Sequence, residues 1–206
     1  MLSIDDIATL FDRRGASQYS GEPVTQLEHA LQTALLAEQA DAGPVLITAA
    51  LLHDLGHLTN PQGETPTLRG IDDVHQYAAL PFLRGLLPDA VLDAIANHVD
   101  AKRYLCATRP GYFELLSADS VRSLALQGGV YDEAGAAAFA ARPGAADAVR
   151  LRLWDDQAKT QGLATPPLAY YLDIARGLTV SGAAASPVSS SAAAGPGSST
   201  QPSTAA

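Results

Sequence analysis

The chain has 206 residues, with 22 acidic against 13 basic side chains, a formal charge of −9 and 47% hydrophobic residues. Nucleic-acid and anionic-lipid surfaces are bound through clustered Lys and Arg, so that balance excludes them as a first reading. No apolar run approaches the roughly 20 residues of a bilayer span, the start carries no basic region followed by an apolar stretch, and the single cysteine, Cys106, excludes both a disulfide and a thiolate metal cluster; the expectation is a cytoplasmic protein whose metals, if any, sit on His and carboxylate.

Apolar residues recur at helical spacing between short Pro/Gly breaks and no period-2 strand stands out, which predicts an all-α domain over residues 1–178. Ser3 and Asp6 can cap a first helix carrying Ile4, Ile7, Leu10 and Phe11. Thr25-Gln26-Leu27-Glu28 reads as a capping box and opens a helix over 26–39. A helix over 45–55 follows, with Gly56 near its end; another starts behind Asp72-Asp73, and a fourth follows Pro88-Asp89. Residues 114–126 and 145–159 make two more, and Pro166-Pro167 introduces a last one through Leu178. The irregular stretch 59–70 is long enough to serve as a lid or binding wall. After Arg176 there is no charged residue, and 179–206 is almost wholly Ser, Ala, Pro, Gly and Thr. So little apolar surface cannot offset ~1–2 kcal/mol per residue of ordering entropy, and a disordered tail is expected.

All five histidines, His29, His53, His57, His75 and His98, fall between positions 29 and 98, on or beside predicted helices. Leu27, Ala30, Leu31, Ala34 and Leu35 form one stripe while His29 points the other way, so its helix is expected to be buried on two sides. A buried imidazole without a partner costs roughly 1–3 kcal/mol, so each needs a carbonyl, a carboxylate or a metal. One such histidine alone reads as a hydrogen-bonded core residue; five weaken that reading. His53-Asp54 lies between Leu51-Leu52 and Leu55, and an ionised Asp there is disfavoured unless it is paired or holds a cation.

The tetrad His53-Asp54-Leu55-Gly56, followed by His57, resembles the signature of the HD-domain superfamily, helical bundles with a buried metal site. A His on an earlier helix, the His-Asp pair and a distant Asp are matched by His29, His53, Asp54 and Asp155, and His75 and His98 complete the six-ligand version that holds two metals. Asp156 competes for the last position; the oxygenase relatives place the ligand four residues before a Lys, here Lys159, which selects Asp155. The chain from Tyr19 to Lys159 is similar to the mixed-valence di-iron organophosphonate oxygenases (PhnZ type), related to myo-inositol oxygenase. The similar stretches are Tyr19-Ser20-Gly21-Glu22, Gln26-Leu27-Glu28-His29, His53 to His57, His98 to Tyr104 and Arg152 to Lys159.

That resemblance implies one iron on His29, His53 and Asp155, a second on His75 and His98, and Asp54 bridging an Fe(II)/Fe(III) pair. It implies phosphonate binding by His57, Lys102, Ser120, Ser123 and Arg152. It further implies that Tyr19 occupies one iron until substrate arrives and that Glu22 receives the substrate's amino group. On composition alone Lys102 and Arg152 would be ordinary solvated charges, Trp154 and Tyr104 core residues, and Cys106 a small buried hydrophobe. A ferrous and a ferric ion against two aspartates leave a site of about +3, which attracts an anion despite the acidic whole. The implied activity is O2-dependent cleavage of the C–P bond of a 2-substituted 1-hydroxyphosphonate, such as 2-amino-1-hydroxyethylphosphonate going to glycine and phosphate, or its trimethylammonio analogue. The neighbouring reaction would be a hydroxylase that makes the 1-hydroxy substrate. The alternatives are a two-metal HD phosphohydrolase acting on a nucleotide or phosphate ester through a metal-activated water, and a non-enzymatic anion-binding module.

Overall fold

The computed structural model describes residues 2–19, 21–59 and 66–180; Ser20, six residues of the 59–70 stretch and all but the first two residues of the expected tail lie outside them. The helices are α1 (Ile4–Arg14), α2 (Gln26–Gln39), α3 (Gly43–Leu52), α4 (Leu55–Thr59), α5 (His75–Ala78), α6 (Leu80–Leu83), α7 (Asp89–Thr108), α8 (Ala118–Leu126), α9 (Glu133–Ala140), α10 (Ala145–Gln157) and α11 (Leu168–Arg176), with 3₁₀ turns at Pro66–Arg69 and Phe113–Leu115. No strand occurs among the described residues, which carry only isolated bridges such as Gln18 with Thr25, so the expected all-α class holds. None of these helices is long and apolar enough to cross a membrane.

Both anticipated helix caps form, each as a capping box. Ser3 and Asp6 close α1, and Thr25 and Glu28 close α2, each side chain satisfying a backbone N–H that a helix start leaves orphaned. At the centre lies α3, apolar on every side, with each residue from Leu46 to Leu52 buried. It packs on α2, α7, α10 and α11, and their inward faces make one core that includes Ile7, Ala34, Leu51, Ile95, Leu151 and Tyr171. A smaller cluster of Ala101, Phe139, Ala145 and Ala148 seats α9 on α7 and α10.

Two expected boundaries are corrected and one helix is added. The helix over 45–55 ends at Leu52, and α4 begins afresh at Leu55. His53 Nδ1 donates to the Ala50 carbonyl at 2.9 Å, satisfying an acceptor of the last turn and ending α3 there. The helix over 114–126 is a 3₁₀ turn and then α8, because Ser117 caps the latter through the Ser120 N–H. Helix α9 was not expected at all: its run Glu-Ala-Gly-Ala-Ala-Ala-Phe-Ala has high propensity but little amphipathic period, and Asp132 caps it through the Gly135 N–H at 2.7 Å.

Candidate metal centre

Four imidazoles and two aspartates meet where α2, α10, the α3–α4 turn, α5 and α7 converge. His29 is in the first turn of α2, His53 and Asp54 occupy the turn after α3, His75 opens α5, His98 lies in α7 and Asp155 in α10. The Nε2 atoms of His29 and His53 are 3.2 Å apart, and those of His75 and His98 likewise. Asp54 lies between the pairs: Oδ2 is 3.6 and 3.3 Å from His29 and His53, and Oδ1 is 3.3 and 3.6 Å from His75 and His98. Asp155 Oδ1 reaches only the first pair, at 3.4 Å from His29 and 4.0 Å from His53.

Protonation geometry decides what this cluster can hold. His29, His53 and His98 place Nδ1 on the backbone carbonyls of Ala158, Ala50 and Ile95 at 2.9, 2.9 and 2.7 Å. A carbonyl only accepts, so each Nδ1 carries the proton and, in the neutral ring, each Nε2 presents a lone pair to the centre. His75 does the same through Asp73, whose Oδ1 accepts from Nδ1 at 2.8 Å. Both oxygens of Asp54 are buried without a hydrogen-bond partner. Converging acceptors with orphaned carboxylate oxygens in a buried site are the donor set of bound cations, and His29, His53, Asp155 on one side and Asp54, His75, His98 on the other could each hold one. Burial works against charge on His53, but the Asp54 and Asp155 carboxylates outweigh it and raise the imidazole to about 9.

Beside the second pair opens a cleft lined by Tyr19, His57, Lys102, Ser120, Ser123 and Arg152, among others. Lys102, one turn beyond His98 on α7, is 2% exposed and donates to Ser123 Oγ at 2.7 Å. Burial, reinforced by the Arg152 charge, brings its ammonium down to about 7. Arg152 is also buried: it pairs with Asp155 Oδ2 at 2.8 Å and with Asp156, and its Nε donates to the Tyr112 hydroxyl at 3.3 Å. Neither is the solvated charge that composition alone suggests. His57 Nδ1 donates to Asp73 Oδ2 at 2.7 Å; burial opposes its protonation, yet Asp54 and Asp73 raise it. Such a set of cationic and hydroxyl donors suits a small anion.

Tyr19 stacks on His29 with ring centroids 3.9 Å apart, and its hydroxyl lies 3.5 Å from Asp155 Oδ1. Gly21, at φ +77°, lets the following turn fold back so that the Glu22 N–H donates to the Tyr19 carbonyl at 2.7 Å. Of the expected substrate-side residues, Glu22 is the one not among those lining the cleft; its carboxylate pairs with Lys159 at 3.1 Å. Asp156, the rival of Asp155, turns away to Arg152 and the Tyr112 hydroxyl. Asp73 and Tyr112 carry no motif signal, and the first of these is visible in the sequence only as an acid two residues before a histidine.

Comparison with known proteins finds relatives of this chain. The HD domain family model matches residues 27–131, which contain all five histidines and Asp54. The chain is 41% identical over 163 residues to the [1-hydroxy-2-(trimethylamino)ethyl]phosphonate dioxygenase (glycine-betaine-forming) of Leisingera caerulea, covering 79% of this chain and 83% of the relative. It is 43% identical over 169 residues to the hydroxymethylphosphonate dioxygenase of Gimesia maris, covering 82% and 84%. An uncharacterized protein of Acanthamoeba polyphaga mimivirus is 34% identical over 175 residues, covering 84% and 80%.

Proposed function

This chain belongs to the HD-domain family, in the branch of the phosphonate dioxygenases, and from that premise we propose that it cleaves the C–P bond of a 1-hydroxyphosphonate with O2, giving a carboxylate and phosphate. The observation that carries this reading is the pair of orphaned Asp54 oxygens, each turned to a different histidine pair beside a cationic cleft. We assign His29, His53 and Asp155 to one iron, His75 and His98 to the other, and Asp54 to both, as an Fe(II)/Fe(III) pair. When bound, that pair supplies the redox capacity that O2 chemistry requires and that the chain's own side chains lack.

The residues do the rest by binding and orientation. Lys102, His57 and Arg152 supply positive charge to the phosphonate oxygens, and Ser120 and Ser123 supply hydroxyl donors. Arg152 also fixes Asp155, since its NH1 grips the oxygen that does not face the histidines. Tyr19 covers the first pair from the cleft side and must yield its place to substrate. Glu22 receives an ammonium group on C2 once released from Lys159; relatives that act on the trimethylamino compound and on hydroxymethylphosphonate bracket the range of substituents. A reaction that hydroxylates C1 of a phosphonate must supply the substrate.

The test is to give the iron-loaded protein hydroxymethylphosphonate, 2-amino-1-hydroxyethylphosphonate and its trimethylammonio analogue, following phosphate and O2 together. One O2 consumed per phosphate released is the expected result. Equal phosphate release under strict anaerobiosis would overturn the reading in favour of a phosphohydrolase.

A further inference from the structure

Two carboxylates within the histidine cluster are treated in opposite ways. Asp54 has two buried oxygens and no donor for either. Asp73 is 7% exposed and has imidazole N–H groups on both: Oδ2 takes His57 Nδ1 at 2.7 Å and Oδ1 takes His75 Nδ1 at 2.8 Å. His57, Asp73 and His75 also have a spacing that could hold a metal, but these hydrogen bonds already satisfy that carboxylate. One acid therefore sets the tautomer and tilt of two rings, which stack with centroids 4.1 Å apart and both turn Nε2 toward Asp54 Oδ1, at 3.3 Å for His75 and 3.8 Å for His57.

The backbone is shaped around this arrangement. Val74, between Asp73 and His75, adopts φ 44° and ψ 35°, a left-handed conformation that is disfavoured for a β-branched residue. That bend carries the Asp73 carboxylate back to the residue two positions ahead, where it also approaches the His75 N–H at 3.4 Å. On the opposite side a Cβ at Gly56 would lie 2.0 Å from the His75 carbonyl oxygen, so glycine is what lets α5 rest directly on α4, the helix that carries His57.

We propose that Asp73 is a positioning residue that ties the phosphonate-side histidine, His57, to the metal-side histidine, His75, so that anion binding and occupancy of the second metal position support one another. This rests on the assignment of those two histidines above. An anion held by His57 restrains Asp73, and Asp73 restrains His75; by linkage the support runs equally in the other direction.

The test measures equilibrium binding of Co(II) and of inorganic phosphate to the full chain, without turnover. Asp73→Asn is expected to weaken the second Co(II) by about 10–100-fold while sparing the first, and to weaken phosphate. In a His57→Ala background the same substitution should no longer change phosphate affinity but should still weaken the second Co(II), a pattern that general loosening of the fold would not produce. Wild-type protein that takes up fewer than two Co(II) overturns the two-metal assignment and this inference with it. Two Co(II) in the wild type with unchanged binding in Asp73→Asn, or a phosphate defect that persists undiminished without His57, overturns the role of Asp73 alone.

Discussion

The two halves of the centre are built by different means. His29, His53 and Asp155 are 0, 0 and 1% exposed, stand on α2, the end of α3 and α10, and have their orientation set by backbone carbonyls and by Arg152. The other half has His98 on the long α7 but His75 on a four-residue helix, 11% exposed at its side chain and held by Asp73. The first half is a product of core packing; the second is a latch at the edge of the cleft. Substrate can therefore reach the second without disturbing the core, and the first needs Tyr19 to cover it.

The largest effect should come from the group both halves share. Asp54→Ala removes the carboxylate oxygen facing each histidine pair, so metal content should fall from two per chain to below one and phosphate release should drop by at least about 10³-fold, the several kcal/mol a metal contributes. Elemental analysis alongside the phosphate assay checks both, and two retained metals would break the comparison at its root.

Next in size is an asymmetry. His29→Ala opens a fully buried cavity and removes the bond to the Ala158 carbonyl, costing about 2–4 kcal/mol of stability as well as a metal. His75→Ala, at the cleft edge, should cost nearer 1 kcal/mol and leave the first metal in place. Denaturant unfolding of the metal-free variants separates the two; equal costs would show that both halves are core.

Much of this contrast was legible in the sequence. His53-Asp54 inside an apolar run announced a buried site, and the capping boxes fixed where α1 and α2 begin. The chain's break after Leu52 was not legible, because it depends on a side-chain bond from His53 to its own helix's last turn. Nor were the burial of Lys102 and Arg152 or the Lys159–Glu22 pair, since each joins segments distant in sequence through partners that no local pattern specifies. Asp73 was hidden for the opposite reason: its neighbours are local, but the left-handed Val74 that brings them together runs against that residue's preference.

The halves should also answer pH with opposite signs. In metal-free protein His53 is raised from 6.5 to about 9, so its stabilising contribution is complete below 6.5 and lost as pH rises through 9, while metal uptake must displace that proton and strengthens over the same window. Lys102, lowered to about 7, is cationic below that value and neutral above it, so phosphate binding at the cleft should weaken as pH rises past 7, by up to about tenfold per unit. Lys102→Met should flatten that slope and leave the metal titration unchanged. A slope that the substitution leaves unchanged would move the anion away from Lys102.

The smallest effect tests whether the latch is under strain. Val74 is 46% exposed, so replacing it removes little packing, and a left-handed L-residue costs roughly 1–2 kcal/mol that Asn, whose short polar side chain tolerates this region, largely avoids. Val74→Asn should raise stability by about 0.5–1 kcal/mol, whereas Val74→Gly should gain less, because glycine's extra freedom in the unfolded chain offsets the relief. Asp73, not Val74, holds the imidazole, so both variants should keep two metals and wild-type phosphate affinity. Stabilisation accompanied by loss of the second metal would mean that the bend itself, and not the carboxylate, fixes His75.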